Sequence, residues 1–107
     1  MAETAFVKMA ELGELSPGDL KMVEVGDDQI LLANVAGSIY ACDNVCTHAF
    51  APLSEGGLDE EQVECPLHGA VFNVTTGEVI GPPAVENLRV FQVRIDGQDV
   101  LVGPPSG

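Results

Sequence analysis

Basic residues are scarce in this sequence. Four Lys and Arg stand against seventeen Asp and Glu, a formal net charge of −13, and none of the four falls between Lys21 and Arg89. A surface of that sign repels phosphates, which excludes nucleic acid as a partner. Asp59, Glu60, Glu61 and Glu64 lie inside the gap. Such a run reads in two ways: as a solvated surface that keeps the chain monomeric in solution, or as a field that steers a basic partner toward it. Long apolar stretches are missing too. The longest, Ile30 to Ala36, is interrupted by Asn34, whereas a membrane span needs about 18 apolar residues or more. The opening, MAETAFVKMAELGE, lacks the basic start and apolar stretch of a signal peptide. The expectation is a soluble, cytoplasmic monomer with no membrane contact.

Histidine and cysteine are also few. Three Cys cannot close a disulfide framework without a remainder. In a chain of cytoplasmic type, Cys beside His points to metal before it points to a bridge. No segment carries a convincing amphipathic helix, and ELGELSPGDL holds one short turn at most. At 107 residues the chain is expected to form one domain, with a modest core supported by its 46% hydrophobic content.

What is present is a series of short strands punctuated by turn residues. Expected strands are Ala5 to Met9, Lys21 to Val25, Gln29 to Val35, Ile39 to Asp43, Ala70 to Val74, Leu88 to Ile95 and Asp99 to Val102. Between them stand the turn signals SPGD, GDD, AGS, TTGE and DGQ. GPP, Gly81 to Pro83, reads as a loop because neither proline can donate to a ladder. The pattern is that of an all-β sandwich or barrel.

The chemistry sits in two short segments. Cys46 and His48 are one residue apart, Cys65 and His68 are two apart, and sixteen residues separate the pairs. A single Cys–x–His pair is ordinarily accidental, but these two pairs use both histidines of the chain within 23 residues. Pro52 and Pro66 stiffen the surrounding chain, while Gly56, Gly57 and Gly69 permit sharp bends and close approach. Two Cys and two His can hold one tetrahedral zinc or a two-iron, two-sulfide cluster. Zinc sites ordinarily draw a Cys pair from one turn and a His pair from another. Here each segment supplies one of each.

The run CTHAFAPLSEGG…ECPLHGAVFNVTTGEVIGPPA resembles the Rieske-type ferredoxins, and the likeness extends over most of the chain. The resemblance implies a [2Fe-2S] cluster, one per chain, with Cys46 and Cys65 on the inner iron and His48 and His68 on the outer iron. It implies a Rieske iron–sulfur fold of three antiparallel sheets, in which a cluster-binding subdomain spanning 44–83 is inserted in a β base. The GPP segment matches the family's proline loop over the cluster. Two ferric ions, two sulfides and two thiolates sum to zero charge, so adding an electron is easier than in an all-cysteine cluster.

The sequence departs from the Rieske proteins of respiratory and photosynthetic complexes. Ala51 and Leu67 stand where those proteins carry bridging cysteines, and Ala70 and Phe72 where they carry a Ser and a Tyr that donate to the cluster. Without those donors the expected potential is nearer ~−150 than +300 mV. Cys42 is expected to be a small apolar core residue. Phe50, Leu53 and Leu67 either pack the loops or, with Pro66 and Pro82, ring the tip as a docking surface.

No histidine remains to build the 2-His-1-carboxylate iron site of an oxygenase. The resemblance therefore implies an electron carrier, not an enzyme. It looks like the ferredoxin component of an aromatic-ring dioxygenase system, fed by an NAD(P)H-dependent flavin reductase and discharging into the Rieske centre of a terminal oxygenase. The alternatives are the small Rieske subunit of an assimilatory nitrite reductase and a structural zinc module.

Overall fold

The computed structural model describes residues 6–45, 52–66, 69–81 and 87–105. Among them the chain is almost wholly strand, with two single 3₁₀ turns, Leu12–Glu14 and Leu53–Glu55. Strands β1 (Val7–Glu11), β2 (Leu20–Val25), β3 (Asp28–Val35) and β4 (Ser38–Asp43) come first. The short strands β5 (Gly57–Asp59), β6 (Gln62–Glu64), β7 (Val71–Asn73) and β8 (Val79–Gly81) follow, and β9 (Val90–Asp96) and β10 (Asp99–Pro105) close the chain.

The base is one six-stranded antiparallel sheet in the order β1-β10-β9-β4-β3-β2. Its hairpins turn in two residues each. Val25 pairs with Asp28, Val35 with Ser38, and Asp96 with Asp99, as the GDD, AGS and DGQ signals anticipate. At the β3–β4 turn both central residues are left-handed, Ala36 at φ 54° and Gly37 at φ 99°, the conformation that matches strand twist in tight hairpins. The halves of the base meet where Ala41 pairs with Phe91 and Cys42 with Val90.

The expected three sheets resolve, among the described residues, into two ladders, because those two pairs join the base into one continuous sheet. The second ladder has the order β5-β6-β7-β8. All four of its strands lie in sequence between β4 and β9, so it is an insertion into the base. The sequence reading missed the β5–β6 hairpin, taking Asp59, Glu60 and Glu61 for charge alone. Val63 is its one fully buried residue, set between Leu58 and Phe72 across the ladder. β10 runs past its expected end at Val102 into Pro104 and Pro105. Among the described residues the pairing with β1 stops at Val7 and Val102, so no β1 carbonyl there calls for an N–H from the prolines, while on the other side Pro105 pairs with Phe91 of β9 after a register shift.

Strand β3 explains how the layers hold together. Its side chains alternate between two cores. Ile30 and Leu32 join Val23, Ala41, Phe91, Val100 and Val102 inside the base. Leu31 and Ala33 join Cys42, Leu53, Val63, Cys65, Ala70, Phe72, Val74 and Leu88 under the inserted sheet. A strand buried on both faces reads as a continuous apolar run, and ILLA is that run. Burying each Leu or Ile here contributes roughly 1.5–3 kcal/mol. The even-numbered Asn34 follows Leu32 inward and is satisfied, its Nδ2 donating to the Leu15 carbonyl and its Oδ1 accepting from the Gly37 amide.

Candidate metal centre

The inserted sheet and the end of β4 present two stems, one for each Cys/His segment. The first stem closes around residues 46–51. Val45 and Pro52 form an isolated antiparallel bridge, and the Leu53 amide donates to the Asn44 carbonyl at 2.6 Å. The Asn44 side chain is fully buried. Its Oδ1 accepts from the Ser54 amide at 2.9 Å, and its Nδ2 donates to Gln29 Oε1 at 3.4 Å. Leu53, on the exit side, is fully buried in the core under the inserted sheet.

The second stem closes around Cys65 to Ala70. The Cys65 amide donates to the Ala70 carbonyl at 2.7 Å, and the Gly69 amide donates back to the Cys65 carbonyl at 3.1 Å. That five-residue turn requires a left-handed residue at its end, and Gly69 supplies it at φ 76°. The two stems touch at Gly56. A side chain there would collide with the backbone carbonyl of Glu64, the residue before Cys65. Gly56 has an ordinary φ of −87°, so it is glycine for space and not for bending.

Cys65 is 2% exposed and shares its core with Leu53, Val63, Ala70 and Phe72. Ala70 and Phe72, the positions where the resemblance expects a Ser and a Tyr, are both fully buried and carry no side-chain donor. Cys42 is 1% exposed. Burial first, and the neighbouring Asp43 charge second, push its thiol up to about 12, which keeps it protonated and inert. It packs as the small apolar residue expected.

A charged clasp stands at the base of the first stem, at Asp43, the residue before Asn44. The Arg89 guanidinium reaches Asp43 Oδ1 at 2.8 Å and Asp28 Oδ1 at 3.1 Å. Two further bonds lock the same place: the Asp43 N–H donates to the Arg89 carbonyl, and the Arg89 N–H donates to the Asp43 carboxylate at Oδ2. The hydrogen bonds to Asp43, then to Asp28, raise the Arg89 pKa further above its already high value. Sequence reasoning missed this clasp and Asn44. The only local signal was Arg89 itself, the first basic residue after Lys21.

Of the four residues singled out as ligands, Cys65 is described, and Cys46, His48 and His68 lie outside the described residues. So do Phe50, Ala51, Leu67 and the prolines of GPP. Leu53 is core and does not join a docking ring, whereas Pro66 is exposed. Among the described residues no group of three His, Cys, Asp or Glu is placed to hold a metal ion. The residues present fit an iron–sulfur group. Thiolate and imidazole are the donors such a centre takes, and a dry apolar bed is what limits solvent around one.

Known proteins bear on this site directly. The chain is 43% identical over 103 residues to the ferredoxin component of biphenyl 2,3-dioxygenase from Rhodococcus jostii (strain RHA1), covering 96% of each chain. It superposes on the ferredoxin of carbazole 1,9a-dioxygenase from Nocardioides aromaticivorans IC177 with a TM-score of 0.89 at 36% identity, covering 94% of this chain and 98% of that one. A second match, with a TM-score of 0.88 at 36% identity, covers 92% of this chain and 93% of its counterpart. It comes from a complex of reduced oxygenase and oxidized ferredoxin in carbazole 1,9a-dioxygenase. The sequence model of the Rieske [2Fe-2S] domain matches residues 5–92. That span takes in most of the base, the whole inserted sheet and both Cys/His segments, and the chain belongs to the Rieske [2Fe-2S] domain family.

Proposed function

We propose that this chain is the ferredoxin component of an aromatic-ring dioxygenase system, a one-electron carrier with no catalytic site of its own. The observation that carries the reading is the 43% identity to a dioxygenase ferredoxin component over 96% of each chain. In the proposal Cys46 and Cys65 hold one iron of a [2Fe-2S] cluster, and His48 and His68 hold the other. The cluster supplies reversible one-electron storage at a centre whose two imidazoles keep its charge low. The chain's own residues provide the setting. The Asn44 and Gly69 turns shape the two stems, the Cys65 core excludes water, and Ala70 and Phe72 withhold side-chain donors.

Electrons arrive from an NAD(P)H-dependent flavin reductase and leave to the Rieske centre of a terminal oxygenase. Cytoplasmic residence belongs to the same proposal, as the place where NAD(P)H is available; no helix among the described residues is long and apolar enough to cross a membrane. The test is reconstitution with NADH, a flavin reductase and an aromatic-ring oxygenase. Product formation that depends on this chain supports the carrier role. A stable stoichiometric complex with a nitrite reductase large subunit, or one zinc per chain in place of two irons and acid-labile sulfide, overturns it.

A further inference from the structure

We infer that Asn44 is a positioning residue for the cluster: it ties the entrance and exit of the segment that carries Cys46 and His48 to one another and to the base. The inference rests on the ligand reading proposed above. Asn44 stands two residues before Cys46 and is one of only two buried polar side chains among the described residues, the other being Asn34. Four of its polar groups are engaged. Its backbone N–H donates to the Gln29 carbonyl at 3.0 Å, and its carbonyl accepts from the Leu53 amide. Its Oδ1 accepts from the Ser54 amide, and its Nδ2 donates to Gln29 Oε1.

Two of these bonds reach forward across residues 46–51, to Leu53 and Ser54, and two reach back to β3. A buried carboxamide with both ends used fixes its own rotamer, because any rotation leaves a desolvated donor or acceptor unpaired. The entrance to the ligand segment therefore cannot shift without breaking the exit. Groups of this kind, which hold ligands without touching the metal, govern how tightly a metal is retained, and their loss typically lowers affinity 10–100-fold.

Asn34 is the internal control. It is also buried and hydrogen-bonded, but it serves the Leu15 carbonyl and the Gly37 turn. It lies five residues from Gln29 along β3, about 17 Å away at the usual strand rise. A purely structural role predicts that Asn34→Ala and Asn44→Ala behave alike.

The experiment uses holoprotein, following iron release to an excess chelator and the electron paramagnetic resonance of the dithionite-reduced state, beside a thermal melt. Asn44→Ala is expected to speed iron release about tenfold or more and to alter the g-values. Asn34→Ala is expected to lower the melting temperature and leave release and g-values as in the wild type. Gln29→Ala, which removes one exposed partner and does not threaten folding, is expected to speed release about two- to threefold, that is, by less than a full loss of the tie. Wild-type release and g-values in a folded Asn44→Ala, or equal acceleration by Asn34→Ala, overturn the inference. Where Asn44→Ala does not fold, unchanged release in Gln29→Ala overturns it. A wild-type holoprotein without a reduced-state signal overturns the ligand reading, and this inference with it, whereas a normal wild-type signal with insensitive variants removes this inference alone.

Discussion

Two side chains near the first stem show what local environment does to reactivity and charge. The Cys42 thiol is buried against β3 and β9, and its acidity is suppressed accordingly. In the folded protein at pH 8 it is expected to resist a thiol-directed reagent, and to react once denaturant is added; mass spectrometry after labelling checks this. The linkage has a definite sign. Cys42 ionises near 8.5 when unfolded and about 12 when folded, so the fold prefers the neutral thiol. Its contribution to stability is intact below about pH 8.5 and is lost progressively as pH rises toward 12. Denaturation midpoints of wild type and Cys42→Ala are thus expected to converge with rising pH.

Arg89 makes the opposite case, since its guanidinium is half exposed, at 52%, and solvent screens it. A double-mutant cycle with Asp43→Asn and Arg89→Gln is expected to give a coupling of about 1 kcal/mol in low salt. The coupling should shrink in about 1 M salt, where the screening length falls to roughly 3 Å.

Turns and close approaches belong to the element scale. Ala36 holds a left-handed conformation that disfavours any residue with a Cβ by about 1–2 kcal/mol, and asparagine tolerates that region better. Ala36→Asn is expected to stabilise the β3–β4 hairpin by about 0.5–1 kcal/mol, read as a higher urea midpoint at unchanged slope. Gly56→Ala is expected to destabilise by about 1–3 kcal/mol, because the new methyl meets the Glu64 carbonyl and pushes the stems apart. A melting temperature within error of the wild type would remove the claim that the stems touch there.

The hairpins of the base were legible from GDD, AGS and DGQ, since turn chemistry is local. The β5–β6 hairpin was not legible. Its turn is Glu60–Glu61, its strands are three residues each, and Glu60 adopts φ 59° without being Gly or Asn. Nothing in GLDEEQVE signals a turn, and the conformation is imposed by Val63 packing on Phe72.

For the whole molecule, the distribution of charge matters more than its sum. Lys8, Lys21, Arg89 and Arg94 all belong to the base or its margin, and two of them are engaged in ion pairs there: Lys8 pairs with Glu11 and Asp99, and Arg89 with Asp43 and Asp28. Arg94 stacks over Phe6 at 4.3 Å. The inserted sheet presents Glu55, Asp59, Glu60, Glu61, Glu64 and Glu78 as exposed acids with no basic residue among them. Such an asymmetry orients the molecule in the field of a basic partner before contact. In the proposed role, electron transfer from a flavin reductase is expected to slow about tenfold between low and about 0.5 M salt at sub-saturating protein. Rates that ignore ionic strength would mean that the acids serve solubility alone.

The sequence by itself determined what is local: the strand period, the two-residue turns, the acidic gap between Lys21 and Arg89, and the Cys and His chemistry whose spacing carries the family resemblance. Only tertiary structure decided that β3 feeds two cores, that the base is one continuous six-stranded sheet, that Gly56 is glycine for want of room, and that Leu53 is core. It also decided that Asn44 closes a segment on itself. The reason is physical. Period and turn preference arise from neighbours along the chain, whereas burial on a given face, and hydrogen bonds such as Asn44 to Ser54 or Arg89 to Asp43, join residues 10 to 46 positions apart. Such contacts exist only once the chain has packed.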